Sequence, residues 1–552
     1  MVYLRYMKKE SPLVEKIIQL IYQHINCYSI HECDSILEGL YYIFNRSIGR
    51  PINNLSKINL KDFQISLSKI NEKGTRRKNN GVYYTPKDVT EYIVANSYLN
   101  FECPQNSRVY SAEKCIDLIL KSNIKNILRS KVYDPTCGTA EFLISAFEIK
   151  LFLIKKTGTL LDEDILKIVS SLYGNDISYE SILLSKIRMF FATINELKDK
   201  SNAIHIAKSL NKNFTVKDYV LPTEKKYKYD IIVGNPPYVE YNKLSIRPKT
   251  GYGNIYADVL QNSVKELKNT GVIGFVIPLS FVATSRMSPI RNFMYDYIQK
   301  MFVINYADRP DCLFDGVHQK LTILFGVKGQ GKCEIFSSSY YHWYSDERQD
   351  LLNSCQVYPC IPQKQYIPKI GNASEYSIFQ KIRTAEGISL LDIKNLAVDD
   401  SCKIYLNMRA CFWMKAFSFN PGSKEYKEMV CPKKMQPYIL AILNSSLFFM
   451  YWTIVSDCWH ITSKELTEFI VPIKGVDLKK FILLSERLEE QLEKTKLFIG
   501  SKQTQYEYKH KECKIEIDEI DNALQKLYRL TNDELSFIKE YKLKYRMSYG
   551  AI

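Results

Sequence analysis

The spacing of apolar residues changes along the chain, and the changes mark out its parts. Near the start, Leu13, Ile17, Ile18 and Ile21 recur at helical spacing, which predicts a helical N-terminal extension over residues 1–75. From about residue 76 short apolar runs alternate with longer amphipathic stretches. The runs include Leu172-Tyr173-Gly174-Asn175-Asp176-Ile177, Phe214-Thr215-Val216, Ile231-Ile232-Val233-Gly234, Val272-Ile273-Gly274-Phe275-Val276-Ile277-Pro278 and Leu321-Thr322-Ile323-Leu324-Phe325-Gly326-Val327. Short apolar runs bounded by glycine are how strands buried on both faces read, so residues 76–330 are expected to form an α/β domain. The alternation then gives way to a region rich in Tyr, Trp and Cys, residues 331–475, expected to be an α+β domain. Residues 476–552 return to helical spacing, with Leu484, Leu488 and Leu492 on one stripe and Ile517, Ile520, Leu524 and Leu527 on another. Thr531 and Glu534 have the spacing of a capping box. A helical hairpin packed on the preceding domain is the expected result, and a self-association coiled coil is the alternative.

One segment carries enough apolar residues to raise the question of a membrane. Residues 438–455 are 18 in a row without charge, the length at which a span begins to be possible. Asn444, Ser445 and Ser446 interrupt the middle, which favours a buried helix pair or helix-turn. The first ten residues contain no apolar run of the signal-peptide kind. The 14 cysteines are scattered, with no Cys-x-x-Cys pair and no clustered histidines. Neither a zinc site nor a disulfide framework is indicated, and a reducing, cytoplasmic setting is expected. At 552 residues the chain exceeds one ordinary core, and its net charge of +16 suits a polyanionic partner. Abundant Lys, Ile, Asn and Tyr also reflect AT-rich coding, so charge alone decides little. The basic stretch Lys73-Gly74-Thr75-Arg76-Arg77-Lys78-Asn79-Asn80-Gly81 reads either as a loop over a site or phosphate backbone, or as a solvated linker.

The candidate chemistry lies at the ends of the apolar runs. Directly after Ile231-Ile232-Val233-Gly234 comes Asn235-Pro236-Pro237-Tyr238. The Asn235 side-chain carbonyl and the Pro236 backbone carbonyl, steadied by two prolines with fixed φ, can converge on one amine. Tyr238 supplies a ring on which a planar base can stack. Upstream, Asp134-Pro135-Thr136-Cys137-Gly138-Thr139-Ala140 is a small-residue loop between a strand and the apolar helix expected over 142–153. Such a loop lets a ligand approach the backbone closely at Gly138. Asp176 ends the next strand, as expected for a carboxylate holding two ribose hydroxyls, and Asp218 ends the one after, where it can accept from an adenine amine. Ile177 and Tyr219 are placed to sandwich that ring. Taken singly, each acid reads more readily as a loop carboxylate or helix cap, and it is three at successive strand ends that point to a site. Cys137 reads as a small buried loop residue, with no histidine near it in sequence.

In this order the segments resemble the gamma class of SAM-dependent N6-adenine DNA methyltransferases. Gly81-Val82-Tyr83-Tyr84-Thr85-Pro86 is similar to that family's motif upstream of the glycine loop, Asp134 to Phe142 to its first motif, Asp176 and Asp218 to its ribose and adenine acids, and Asn235 to Tyr238 to its catalytic motif. The resemblance covers about residues 75–330. It implies a Rossmann-like catalytic domain, S-adenosyl-L-methionine contacted by Tyr84, Thr85, Pro86, Asp134, Gly138, Asp176, Ile177, Asp218 and Tyr219, and catalysis at Asn235, Pro236, Pro237 and Tyr238. It further implies base flipping, a C-terminal target-recognition domain, double-stranded DNA as partner, a monomer, no metal, and a separate restriction endonuclease. Ala140 stands where many members have a second glycine, and Met287 falls near an aromatic that covers the flipped base in some relatives. Whether Met287, Phe281 or neither does so here is open at this point. RNA and protein-glutamine N-methyltransferases also use Asn-Pro-Pro-Tyr and are the alternative reading. A fused nuclease would require a Pro-Asp followed by an Asp/Glu-x-Lys strand, which the N-terminal region lacks.

Overall fold

The apolar runs assemble into one nine-stranded sheet. Its strands are β1 (Val132–Asp134), β2 (Leu172–Asp176), β3 (Phe214–Val216), β4 (Tyr229–Gly234), β5 (Leu267–Pro278), β6 (Ile298–Tyr306), β7 (Leu321–Lys328), β8 (Glu334–Tyr341) and β9 (Tyr358–Cys360), in the spatial order β3-β2-β1-β4-β5-β7-β6-β8-β9. The computed structural model describes residues 85–548 apart from 195, 222–227, 244–250, 315, 397–399 and 501–504. The expected N-terminal helices, the basic stretch 73–81 and Tyr84 therefore lie outside the described residues.

Strands β1 to β5 are mutually parallel. Strand β7 runs antiparallel to both β5 and β6, so β6 recovers the common direction, and β8 follows it in parallel. This is a Rossmann-like α/β sheet, and it brings the carboxyl ends of β1 to β6 and β8, with the start of β7, to one rim. Ligands of such sheets bind at that rim, where the strand order reverses. Helices α1 (Lys87–Glu102), α2 (Glu141–Thr157), α3 (Tyr179–Ile194) and α4 (Ile255–Glu266) supply the cover that strands apolar on both faces require. Contact between α1 and the sheet is close: a Cβ on Gly274 of β5 would stand 2.3 Å from the Ser97 hydroxyl.

The boundary expected at residue 330 falls inside the sheet, which continues through β8 to Cys360. Strand β8 is Glu334-Ile335-Phe336-Ser337-Ser338-Ser339-Tyr340-Tyr341, and its serines are buried without being apolar. They are satisfied internally. Ser338 Oγ accepts from Asn305 N at 2.9 Å, and Ser339 donates to Glu375 at 2.7 Å.

Beyond the sheet, β10 (Gly387–Ser389) pairs with β14 (Ile470–Pro472), and β11 (Ser401–Asn407) lies between β12 (Ala416–Phe417) and β13 (Tyr426–Pro432). The uncharged segment forms α5 (Gln436–Asn444) and α6 (Ser446–Val455), with residues 433–455 bent by 63° at the break. Its polar interruption makes the bend: Ser445 accepts from Phe448 N at 3.0 Å and caps α6, and Asn444 bonds both backbone groups of Ala416. Both helices are buried inside the protein. Among the described residues no single helix is long and apolar enough to cross a membrane. Helices α7 (Leu478–Thr495) and α8 (Lys514–Leu527) pack on each other and on α5. They turn Leu484, Leu488 and Leu492, and Ile517, Ile520 and Leu524, inward. Each fully buried leucine contributes roughly 1.5–3 kcal/mol. The Thr531–Glu534 capping box is formed as expected.

Candidate active site

At the end of β4 the backbone passes so close to β1 that a Cβ on Gly234 would lie 2.8 Å from Asp134 Oδ1. Glycine there allows the two strands to finish side by side, and it brings Asn235 beside the loop that follows β1. The Asn235 amide is fixed at both ends. Its Nδ2 donates to Thr85 Oγ1 at 3.0 Å, and its Oδ1 accepts from the Tyr238 hydroxyl at 2.5 Å. That hydroxyl also lies 3.0 Å from the Val276 carbonyl on β5. Downstream, Val239 O accepts from Ile255 N at 3.0 Å and ties the loop to the start of α4. Pro236 is buried, while Pro237 and Tyr238 are half-buried. Thr85, expected on the cofactor, commits its hydroxyl to Asn235 across 150 residues of sequence. Pro86 precedes α1 and accepts from Val89 N and Thr90 N.

The loop after β1 is built around two carboxylates. Asp134 is 1% exposed and accepts from Thr136 N at 3.0 Å; burial pushes its carboxyl well above the usual range, the Thr136 bond opposes that, and Asp176 nearby adds to it. Asp176 accepts from Gly138 N at 3.0 Å and from Ser178 N at 2.8 Å, so the acid at the end of β2 organises the loop as well as facing the rim. Burial raises its carboxyl and these amides act against the rise. Gly138 has φ +51°, and a Cβ there would meet nothing within 4 Å, which leaves open space directly above the loop. Thr136 Oγ1 is buried without a partner among the described residues. Beyond Asp176, Ile177 is 71% exposed and Val216 47% exposed. Asp218 accepts from Val220 N at 3.0 Å. Open space, an unmatched hydroxyl, acids at successive strand ends and exposed apolar side chains between them fit a nucleoside-bearing cofactor.

The packing corrects one expectation, closes a question left open and agrees with a third reading. Tyr219 does not sandwich a ring at the rim: it is 4% exposed, its edge rests on Tyr133 and its hydroxyl donates to Glu266 at 3.0 Å. Its ring serves the core because α4 presents Glu266 and Asn262 to this loop, Asn262 donating to Tyr219 O at 2.8 Å. Met287 and Phe281 are both fully buried, so neither presents a face for a base. Cys137 is buried, its thiol pushed well up by burial and by Asp134, as suits a packing residue.

Other residues of the site were not singled out beforehand. Arg188 of α3, 4% exposed, donates to Thr139 O at 2.6 Å and pairs with Glu141, locking the loop's exit. Asn175 donates to Pro135 O at 3.0 Å and to Lys217 O at 2.9 Å, so one amide joins the loops after β1, β2 and β3. Its place beside Asp176 at a strand end was the available signal. Asp258 of α4 is fully buried with neither carboxylate oxygen partnered among the described residues, and burial pushes its carboxyl up to about 7.

Fold and site together define an α/β domain with a small-residue loop, open above Gly138, adjoining an amide-and-proline loop. Residues 170–310 match the family described as Eco57I restriction-modification methylase. The chain is 23% identical over 288 residues to the Type II methyltransferase M.BanIII of Aneurinibacillus aneurinilyticus, covering 50% of this chain and 44% of that protein. It is 25% identical over 234 residues to the Modification methylase CviBIII of Paramecium bursaria Chlorella virus NC1A, covering 42% of this chain and 45% of that protein. The match thus spans less than half the length of these curated relatives. The structure of the Type IIL restriction-modification enzyme MmeI in complex with DNA aligns with a TM-score of 0.49 and 10% identity, over 90% of this chain and 82% of that one. The family match and the two methylases make this chain similar to restriction-modification methyltransferases.

Proposed function

We propose that this chain is a site-specific DNA methyltransferase acting on N6 of an adenine turned out of the duplex. The observation that carries the reading is the polarity of Asn235. Because Thr85 takes its amide N–H, the carbonyl oxygen faces the other way, where a donor, the Tyr238 hydroxyl, already sits at 2.5 Å. An exocyclic amine entering the loop would replace that donor on Asn235 and give its second hydrogen to the Pro236 carbonyl. Two such bonds localise the nitrogen lone pair and strengthen as the nitrogen becomes tetrahedral, so they favour the transition state over the ground state. The Tyr238 ring, released from Asn235, would stack on the base and offset part of the few kcal/mol that unstacking costs. No strong base is required, since the amine proton can leave after the new bond forms.

S-adenosyl-L-methionine supplies the methyl group. Asp176 would hold its ribose hydroxyls, Asp218 its adenine amine and Ile177 the flat of that ring, while Gly138 leaves room for close approach and Asp134 braces the loop from beneath. Residues 361–475, rich in aromatic side chains, would read the DNA sequence, with a separate endonuclease as the counterpart in a restriction-modification pair.

The test is transfer of tritiated methyl from S-adenosyl-L-methionine to double-stranded DNA, to RNA and to protein, followed by hydrolysis and chromatography. The reading requires label in DNA as N6-methyladenine. Label confined to RNA or to protein glutamine would replace it with the alternative chemistry of the same loop.

A further inference from the structure

A cavity of about 180 Å³ opens at the same rim, between the ends of β6 and β8 and the loops that follow β11 and α6. Its walls include Phe412, Phe449 and Trp452, and cationic side chains line it as well. Lys320 Nζ lies 4.2 Å from the centre of the Trp459 ring, and Arg309 Cζ lies 6.0 Å from it. Arg409 lines the same space. Lys320 is 3.4 Å from Asp308 and Arg409 is 3.1 Å from Glu425, so the cations are held in place by their neighbours. The lining carries Arg309, Lys320 and Arg409 with Asp308, and Glu425 stands behind Arg409, so Arg309 and the outer faces of the paired cations are what the cavity offers to an anion. Trp459 is 38% exposed and is positioned by its backbone: its N–H donates to Asp457 at 2.9 Å and its carbonyl accepts from Ala410 N at 3.1 Å. His342 also lines the space, and its Nδ1 is buried without a partner among the described residues.

An accessible indole flanked by cations is the complement of a nucleotide. The base finds a stacking face, and the phosphate finds charge. Position narrows the source. The Lys320 carbonyl accepts from Leu279 N at 2.9 Å, just past the end of β5, and the Tyr238 hydroxyl contacts Val276 on that strand. Strands β4, β5, β7, β6 and β8 are consecutive neighbours. At about 4.8 Å per strand, the cavity extends from about 10 to about 19 Å from Asn235 along the rim. At about 3.4 Å per base step, that is about three to six steps of DNA.

We propose that this cavity holds one nucleotide of the bound DNA strand, about three to six steps from the target adenine, with its base against Trp459 and its phosphate between Lys320 and Arg409. The proposal rests on the DNA-methyltransferase reading and adds to it a second point at which a single nucleotide is gripped.

The test uses the full chain and the duplex that the labelling assay identifies as substrate. 5-Iodouracil is placed at successive positions on either side of the target and irradiated. A cross-link to the peptide carrying Trp459, confined to positions about three to six steps away, is expected. Trp459→Ala should abolish it and raise the Kd for DNA about tenfold, and Trp459→Phe should restore most of the affinity, since stacking needs a ring and not an indole. Arg409→Ala, at a side chain 60% exposed, should weaken binding and flatten its salt dependence. ATP, followed by tryptophan fluorescence, is the free-nucleotide arm. ATP that occupies the cavity without being displaced by DNA would overturn the proposal, as would unchanged affinity and cross-linking in Trp459→Ala. A wild-type chain that methylates DNA while Trp459→Ala matches it in every assay removes the cavity alone. A wild-type chain that neither binds nor methylates DNA removes both readings.

Discussion

Asn235 is oriented by a residue 150 positions away, and this is the kind of fact that pattern in a sequence does not carry. The tetrapeptide could be read from its own chemistry, amide and prolines after an apolar run, and Asp176 and Asp218 from their places at strand ends. Which way a side chain turns could not. Tyr219 follows Asp218 as a rim residue should, yet turns into the core because Glu266 waits there for its hydroxyl. Two predictions belong at this scale. Asp176→Ala removes the proposed ribose contact together with the bonds from Gly138 N and Ser178 N, so S-adenosyl-L-methionine binding should weaken by about 2–3 kcal/mol while DNA affinity holds. Titration calorimetry showing unaltered cofactor affinity would remove Asp176 from that role. Asp258 concerns pH. Its carboxyl is pushed up to about 7 by burial, above its ordinary 3.8, so the folded chain keeps a proton that the unfolded chain releases. That contribution is complete below about pH 4 and is lost as pH rises through 7. Asp258→Asn should therefore gain stability relative to wild type between pH 5 and pH 8, in melts run at both; a difference that does not change with pH contradicts this.

The elements follow local rules more closely. Apolar runs became strands, the 484–488–492 and 517–520–524 stripes became buried helix faces, and the polar break at Asn444-Ser445-Ser446 became a capped bend. Strand β8 escaped because buried serines satisfied by Asn305 and Glu375 imitate a polar loop. The loop after β1 shows how a sequence departure is accommodated. Ala140 adopts φ +67°, a left-handed conformation that costs a residue with a Cβ about 1–2 kcal/mol and costs glycine none of it. Arg188, Glu141 and the Cys137 carbonyl hold it there. Ala140→Gly regains that strain and loses about 0.5–1 kcal/mol to unfolded-state entropy, leaving a net gain of about 0.5–1 kcal/mol. A rise in melting temperature is expected, and a fall would mean that the methyl group packs favourably enough to outweigh the strain.

At the scale of the whole molecule, the sheet places the amide loop, the cofactor loop and the cationic cavity on one rim, and the region beyond Cys360 closes over the far end of it. The domain boundary is the part least visible in the sequence, since the composition shifts at 330 while the sheet ends at 360. A chain ended at residue 330 loses β8 and leaves β6 with a bare apolar edge, an invitation to aggregate. Ended at 360, it keeps all nine strands. Soluble yield and cooperative melting should favour the longer fragment, and equal behaviour of the two would show that β8 and β9 contribute nothing to the sheet's stability. In the proposed reaction Asn235 acts on the reacting amine and not on binding. Single-turnover methyl transfer by Asn235→Ala under saturating cofactor and DNA separates the two. A rate about 10²-fold or more below wild type with both affinities retained is expected, and transfer at the wild-type rate would contradict the role of Asn235.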